Sequence, residues 1–137
     1  MACYHKRKGV NMETTTFLLI GGVYNVLFAV FHLLFWRLFR WNADLRSLTP
    51  INRGIMQVLN LCLIFVFLIF AEVSIVFPES LQTTGLGKFM LWSIAIFWFA
   101  RAIEQVVFFD RKSWVSVVLV VVFVIGGVLY LIPAVGG

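Results

Sequence analysis

Four long apolar runs separated by short polar segments dominate this chain. They cover residues 14–36, 54–78, 89–109 and 113–137, and the first and last contain no Asp, Glu, Lys or Arg. Each run reaches the roughly 20 residues that a helix needs to cross a bilayer. Stretches such as LCLIFVFLIF over 61–70 do not alternate apolar and polar positions, so they lack the period-two pattern of a membrane β-barrel. The pattern therefore predicts four membrane-spanning helices.

The spacing of these runs predicts the domain organisation. We expect a polar basic tail over 1–13 and a transmembrane domain over 14–137, with spans at about 14–39, 51–77, 88–109 and 113–133. Thr49-Pro50 is typical of a helix start, with Thr as the N-cap and Pro at the first position. The segment 78–88 contains Pro and Gly and is predicted to be a loop. The predicted fold is an all-α polytopic membrane protein, an antiparallel up-down four-helix bundle.

Composition supports a membrane protein and narrows its chemistry. Of 137 residues, 62% are hydrophobic and 12% charged, against roughly 25% charged in soluble domains. Cys3 and Cys62 lie in different regions and predict no disulfide. The only histidines are His5 in the tail and His32, so a bis-histidine haem site cannot form within one chain. We expect no cofactor, no metal site, no catalytic residue and no nucleic-acid partner.

Basic residues near the span ends predict the orientation. The connectors after spans one and three contain Arg37, Arg40, Arg46, Arg53, Arg111 and Lys112, whereas the other side has Lys88 and the tail residues Lys6, Arg7 and Lys8. Because basic loops stay in the cytosol, residues 40–50 and 110–113 are predicted to be cytosolic and both termini external. If translation started at Met12 instead of Met1, the basic residues of the tail would be absent and the excess on the predicted cytosolic side would be larger.

Aromatic residues near the span ends fit this orientation. Membrane proteins concentrate Trp and Tyr at both interfaces. Trp36, Trp41 and Trp114 fall near the predicted cytosolic boundary, and Trp92 and Tyr130 near the opposite one. Trp98 lies in the middle of a span and fits neither boundary.

Polar residues inside three of the spans are the candidate site. At a rise of about 1.5 Å per residue they fall in one layer, roughly 6–14 Å inside the cytosolic boundary. Charged and polar groups at such depths usually face a partner or a cavity. The members of this layer are His32, Gln57, Asn60, Arg101, Glu104 and Gln105.

Helical spacing predicts which of these residues meet. Asn25 lies seven residues before His32 on the same face of span one, and it is a secondary candidate. Arg101 and Glu104, at i and i+3, can pair on their own helix. Glu72 lies near the outer boundary on a different face and is also secondary, as a contact with another helix or subunit. The whole layer could equally be structural, because polar side chains commonly join membrane helices.

Three functions are compatible with this pattern. The leading hypothesis is a non-catalytic module that binds a lipid, a quinone-like amphiphile or a partner subunit through the layer. The first alternative is a small oligomeric transporter or channel. It ranks lower because Arg101 beside Glu104 favours the ionised carboxylate, which makes a poor proton carrier. The second alternative is an enzyme acting on a membrane-soluble substrate. The predicted partners are the bilayer, such a ligand, and a homo-oligomer or larger membrane complex.

Three segments carry a resemblance to known proteins: FHLLFWRLFRW over 31–41, INRGIMQVLN over 51–60 and FWFARAIEQVVFF over 97–109. Their general pattern resembles small uncharacterised four-span bacterial inner-membrane proteins. This resemblance implies a bacterial inner-membrane location. It carries over no functional residues.

Overall fold

The structure is a computed structural model that describes residues 10–109 and 113–136, and this part of the chain contains helices and no β-strand. The helices are α1 (Met12–Leu33), α2 (Phe35–Leu38), α3 (Trp41–Asp44), α4 (Pro50–Val76), α5 (Pro78–Thr83), α6 (Gly85–Phe108) and α7 (Trp114–Gly136), and a 3-10 turn over Leu45–Ser47 follows α3. Most of the predicted tail, residues 1–9, and the predicted connector 110–112 lie outside the described residues.

Four of these helices, α1, α4, α6 and α7, are each long and apolar enough to cross a membrane. The predicted all-α class and the four candidate spans are therefore confirmed, and they indicate a multi-pass membrane protein. Large apolar side chains on their outer faces, such as Leu27 and Phe65, are well exposed. An apolar outer surface is what a helix needs where it faces lipid.

Helix caps explain where α4 and α6 begin. Thr49 is the N-cap of α4, its hydroxyl accepts a hydrogen bond from the Asn52 N–H, and Pro50 occupies the first turn. This start was predicted from the sequence and is confirmed. Thr84 caps α6 in the same way by accepting from the Gly87 N–H at 2.8 Å. Such caps satisfy N–H groups that have no partner within their own helix.

Two connectors differ from the sequence prediction. Residues 78–88 are not a loop: Pro78 starts α5, because its fixed φ suits the first position of a helix, and α6 begins at Gly85. The predicted first span of 14–39 is divided, since α1 ends at Leu33 and α2 forms a separate turn. After α2 the chain reverses at Arg40, whose φ of 49° lies in the left-handed region.

The core is built around Trp98, whose side chain is fully buried. Its ring lies 4.7 Å from that of Phe28, 4.9 Å from Tyr24 and 5.3 Å from Phe67, measured between centroids. Gly126 on α7 permits this packing, because a Cβ at that position would lie 2.8 Å from the Trp98 side chain. The unusual mid-span position of Trp98 in the sequence thus corresponds to the centre of the bundle.

Close packing joins some pairs of long helices and not others. The backbone of α1 packs against α4 and against α7, and α6 packs against α7. Helices α4 and α6 meet instead through aromatic side chains, with Phe97 centred 5.9 Å from Phe67 and 5.2 Å from Phe70. The short helix α5 also packs against α6. The α4–α6 side is therefore bridged by side chains rather than by backbone contact.

Candidate functional site

The structure brings two of the predicted site residues into direct contact, His32 at the end of α1 and Asn60 on α4. His32 Nδ1 lies 2.9 Å from Asn60 Oδ1, and Asn60 Nδ2 donates to the main-chain carbonyl oxygen of His32 at 3.1 Å. Both side chains are buried. The predicted inward orientation of these two residues is therefore observed, and their contact ties α1 to α4.

The double contact also fixes how the imidazole is protonated. Asn60 Nδ2 is the donor to the carbonyl, so the amide oxygen is the atom that faces His32 Nδ1. An amide oxygen only accepts hydrogen bonds, and Nδ1 must therefore carry a proton. The ring is held between Phe35, centred 4.4 Å away and stacked, and Phe67 at 5.1 Å. His32 Nε2 is left as the nitrogen that can accept a hydrogen bond or a proton.

Arg101 and Glu104 form an ion pair on α6, which confirms the pairing predicted from their spacing. The pair is only partly buried: the Arg101 side chain is 29% exposed and the Glu104 side chain is 46% exposed. The Arg101 guanidinium carbon lies 5.6 Å from the centre of the Phe123 ring on α7. This distance is within the range of a cation–π interaction. Arg101 therefore extends from the inner aromatic ring to the accessible surface.

The remaining two members of the layer lie apart from these pairs. Gln105 is buried and donates from Nε2 to Ser116 Oγ on α7 at 3.2 Å. Gln57 is half-buried and makes no hydrogen bond within the described part of the chain. The predicted layer is thus divided into the His32–Asn60 contact between α1 and α4, the Arg101–Glu104 pair within α6, and Gln105 bonded to α7, rather than forming one continuous polar network.

Helices α4 and α6 lack extensive backbone contact, and some of their side chains near these pairs are exposed. Met56 lies about one helical turn before Asn60 on α4. Asn60 is 4% exposed, whereas Met56 is 42% exposed. Arg101 and Glu104 on α6 are exposed as well. The aromatic bridge comes after Asn60 on α4, at Phe67 and Phe70, and before Arg101 on α6, at Phe97.

A second polar cluster, which the sequence analysis did not predict, joins α1, α4 and α7. Asn25 Nδ2 donates to Tyr130 Oη at 2.8 Å, and Tyr130 Oη lies 2.7 Å from Ser74 Oγ. The Ser74 hydroxyl donates to the Phe70 carbonyl at 2.6 Å. Since the Ser74 proton is committed to that carbonyl, Tyr130 must donate to Ser74 and accept from Asn25. We call Asn25, Tyr130 and Ser74 the buried polar triad.

The triad corrects the sequence interpretation of Tyr130. It was predicted to anchor the outer membrane boundary, but its side chain is fully buried, as are those of Asn25 and Ser74. A hydroxyl that hydrogen-bonds to two helices is more favourable inside the bundle than at an interface. Nothing in the sequence marks it, because single Tyr and Ser residues within apolar runs have no periodic pattern. Asn25 Oδ1 and Trp98 Nε1 are buried without a hydrogen-bond partner among the described residues.

Gln82 on α5 is a further buried polar residue that was expected in an exposed loop. Its Nε2 donates to Thr15 Oγ1 at 2.9 Å, and its Oε1 accepts from the Asn11 N–H at 3.0 Å. Gln82 therefore attaches α5 to the first turn of α1. Glu72, the other secondary candidate, is exposed on α4 and makes no hydrogen bond or ion pair with the described residues.

Within the described residues no group of three His, Cys, Asp or Glu side chains is placed to hold a metal ion. No protein-family model matches the chain, and no curated protein or solved structure shows significant similarity to it. The resemblance to small four-span bacterial proteins therefore stays a prediction.

Proposed function

We propose that the protein is an antiparallel up-down-up-down four-helix bundle in a bacterial inner membrane, with residues 40–50 and 110–113 cytosolic and both termini external. Contacts between helix ends support the antiparallel order. His32, near the end of α1, meets Asn60 in the first half of α4, and Gln105, near the end of α6, meets Ser116 at the start of α7. The excess of basic residues on one set of connectors supports the orientation.

We further propose that the protein is a non-catalytic module that binds a membrane amphiphile, either a lipid or a quinone-like molecule. Its polar group would contact Arg101 and Glu104, and its apolar part would lie between α4 and α6, which lack extensive backbone contact. The observation that carries this proposal is the exposure of the Arg101–Glu104 pair, 29% and 46%, within a helix that is apolar enough to span a membrane.

The cost of this ion pair favours a binding role over a purely structural one. A charged residue in the middle of a membrane span costs about 2.5–3.5 kcal/mol on insertion scales. The other polar contacts between helices, His32 with Asn60 and Gln105 with Ser116, join helices without a charged pair and are buried. A carboxylate that is 46% exposed contributes little to helix packing, which favours a contact with a ligand over a packing role.

The test replaces the pair with apolar residues of similar volume, Arg101→Met with Glu104→Leu. Such replacements of ion pairs are often neutral or stabilising, so the double variant should fold. The protein is extracted in mild detergent, and native mass spectrometry identifies the small molecules that it retains. We expect the wild type to retain an amphiphile that the double variant lacks. Retention of the same molecule by a well-folded double variant would eliminate this site.

A single variant separates the binding role from a structural one. Arg101→Met alone leaves Glu104 without its partner and should destabilise the bundle as well as reduce retention. Glu72→Gln, a neutralised carboxylate on α4, provides the matched control. If the double and control variants behave alike in retention, the Arg101–Glu104 pair is structural.

A partner subunit is the second candidate, and Glu72 favours it. This carboxylate is exposed on α4 and has no partner among the described residues. An ionisable group in a membrane span usually faces another protein surface. We expect Glu72→Leu to reduce oligomer formation, measured by light scattering after subtraction of the detergent mass. An unchanged molar mass would exclude Glu72 from a subunit interface.

A further inference from the structure

The connector between α1 and α4 is an ordered element that combines exposed cations with exposed apolar side chains. Arg37, Arg40 and Arg46 are exposed, and so are Leu38 (55%) and Phe39 (46%). Asp44 is the only acidic residue between 34 and 48. We call residues 34–48 the aromatic–basic connector. Its composition differs from that of a water-exposed loop and from that of a buried turn.

Aromatic contacts hold the connector in shape. The Phe35 ring is centred 4.8 Å from Phe39 and 5.4 Å from Trp41, and Trp36 lies 5.2 Å from Trp41. The left-handed conformation of Arg40, with φ at 49°, allows Trp41 to return towards Phe35 and Trp36. A residue other than Gly in this conformation is uncommon and carries a cost. The aromatic contacts compensate for it.

Arg53 fixes the connector to α4. Its guanidinium donates to the carbonyl oxygens of Leu45 at 2.8 Å, Arg46 at 3.2 Å and Leu48 at 3.3 Å. Leu45 itself is buried. Arg53 is thus committed to the backbone, whereas the three arginines of the connector have no hydrogen bond or ion pair from their side chains within the described residues. Three cations and exposed apolar side chains are therefore presented by one connector that Arg53 ties to α4.

We propose that the aromatic–basic connector binds the headgroup of an anionic phospholipid at the membrane surface. Arg37, Arg40 and Arg46 would contact the phosphate, for which the planar guanidinium is well suited. The exposed Leu38 and Phe39 would enter the interfacial region, where Trp36 and Trp41 are also favourable. Clusters of basic residues next to a span attract anionic lipid, each contributing about 1 kcal/mol. This inference does not rest on the Arg101–Glu104 site.

The test titrates the full-length protein in neutral detergent micelles with phosphatidylglycerol or phosphatidylcholine and counts bound lipid by native mass spectrometry. Because each arginine near an anionic group contributes about fivefold, the wild type should bind phosphatidylglycerol at least about fivefold more tightly. The triple variant Arg37→Gln, Arg40→Gln, Arg46→Gln should bind both lipids equally. Equal binding of the two lipids by the wild type would overturn the proposal.

Two variants separate lipid binding from folding. Arg40→Gly removes a cation and also relieves the left-handed conformation, so it should fold at least as well as the wild type while losing about fivefold in phosphatidylglycerol affinity. Lys88→Gln removes one charge at the start of α6, and its lipid preference should not change. If Arg40→Gly and Lys88→Gln reduce phosphatidylglycerol affinity by the same factor, the lipid preference reflects net charge and the connector is not the site.

Salt provides a measurement on the wild type alone. Raising the salt concentration from about 0.1 M to about 1 M shortens the Debye length from about 10 Å to about 3 Å. The preference for phosphatidylglycerol should fall over this range, because headgroup binding at exposed arginines is electrostatic. A preference that does not depend on salt would contradict binding at this surface, even if a variant proved difficult to purify.

Discussion

Asn60 holds His32 through two hydrogen bonds, one to the imidazole Nδ1 and one to the main-chain carbonyl oxygen of the same residue. The second bond also provides a donor for the His32 carbonyl in the last turn of α1, where carbonyl groups lack N–H partners within the helix. One side chain thus completes a helix end, orients a buried imidazole and joins two helices. This arrangement leads to the first prediction.

Replacing Asn60 with Leu should destabilise the bundle by about 1–3 kcal/mol, because the buried His32 Nδ1 and the His32 carbonyl oxygen both lose their hydrogen-bond partner. Asn60→Asp keeps an acceptor for Nδ1 but loses the donor to the carbonyl. The measurement is unfolding in mixed micelles followed by circular dichroism. Gln57→Leu on the same helix should change the free energy of unfolding little, because Gln57 has no hydrogen bond within the described residues.

Nitrogen-15 NMR of the His32 ring tests the same contact directly. The wild type should show a proton on Nδ1 over the whole accessible pH range, since Asn60 Oδ1 can only accept. Asn60→Leu should release this constraint and allow the proton to move to Nε2. A wild-type spectrum with the proton on Nε2 would show that the Asn60 amide has the opposite orientation.

Tyr130→Phe should cost about 1–3 kcal/mol of stability, because it removes the central hydroxyl of the buried polar triad and both of its hydrogen bonds. Hydrogen bonds between membrane helices average about 0.6 kcal/mol and reach about 1.7 kcal/mol. Tyr24→Phe is the matched control, since the Tyr24 hydroxyl makes a single bond, to the Val122 carbonyl at 2.7 Å. It should cost about half as much.

A double-mutant cycle then tests whether the lost stability comes from the hydrogen bond between Tyr130 and Ser74. Ser74→Ala combined with Tyr130→Phe should cost less than the sum of the two single changes, because both remove the same hydrogen bond. Additive effects would mean that Tyr130 and Ser74 do not interact in the folded protein.

Gly126→Ala should destabilise the bundle, because the new methyl group would lie 2.8 Å from Trp98 and 2.9 Å from Tyr24. Overpacking of this kind costs about 1–3 kcal/mol. Gly54→Ala is the control: no atom lies within 4 Å of its added Cβ, and it should leave stability unchanged or slightly raised. Thermal unfolding of both variants makes the comparison, and equal midpoints would contradict the close approach of α6 and α7.

Single cysteines should report the proposed orientation. In a background without Cys3 and Cys62, an impermeant thiol reagent added to intact cells should label Ser80→Cys and should not label Ala43→Cys or Ser113→Cys. All three positions are exposed. Ser80 serves as the outer probe because Gln82, on the same short helix, is buried against α1. Labelling at 43 and not at 80 would reverse the topology.

The features that the sequence predicted are those that depend on neighbours along the chain. The length of each apolar run determined the four spans, the Thr49-Pro50 pair determined the start of α4, and the i, i+3 spacing determined the Arg101–Glu104 pair. Each of these follows from the geometry of one helix. The function of the predicted site remains a proposal, since a pattern of polar residues does not name a ligand.

The features that the sequence did not predict depend on which helices pack against each other. Tyr130 and Ser74 are 56 positions apart, and neither is unusual within its own apolar run. Gln82 was assigned to a loop because Pro78 and Gly85 were interpreted as breaking a helix, whereas each lies at the start of one. Helices α4 and α6 lack extensive backbone contact because α1 packs against α4 and α7 while α6 packs against α7, and no local sequence pattern predicts which helices pack together.

The buried polar triad also bears on the order of events during synthesis. Helix α7 leaves the ribosome after α1 and α4 and supplies Tyr130, and until it arrives Asn25 and Ser74 have no hydroxyl to join them. Until then α1 and α4 lie in the membrane while Asn25 and Ser74 lack part of their hydrogen bonds. A chain truncated after residue 112 would never form the hydrogen bonds to Tyr130. We expect such a truncated product to be recognised by membrane quality-control proteases and to disappear faster in a pulse-chase experiment than the full-length protein.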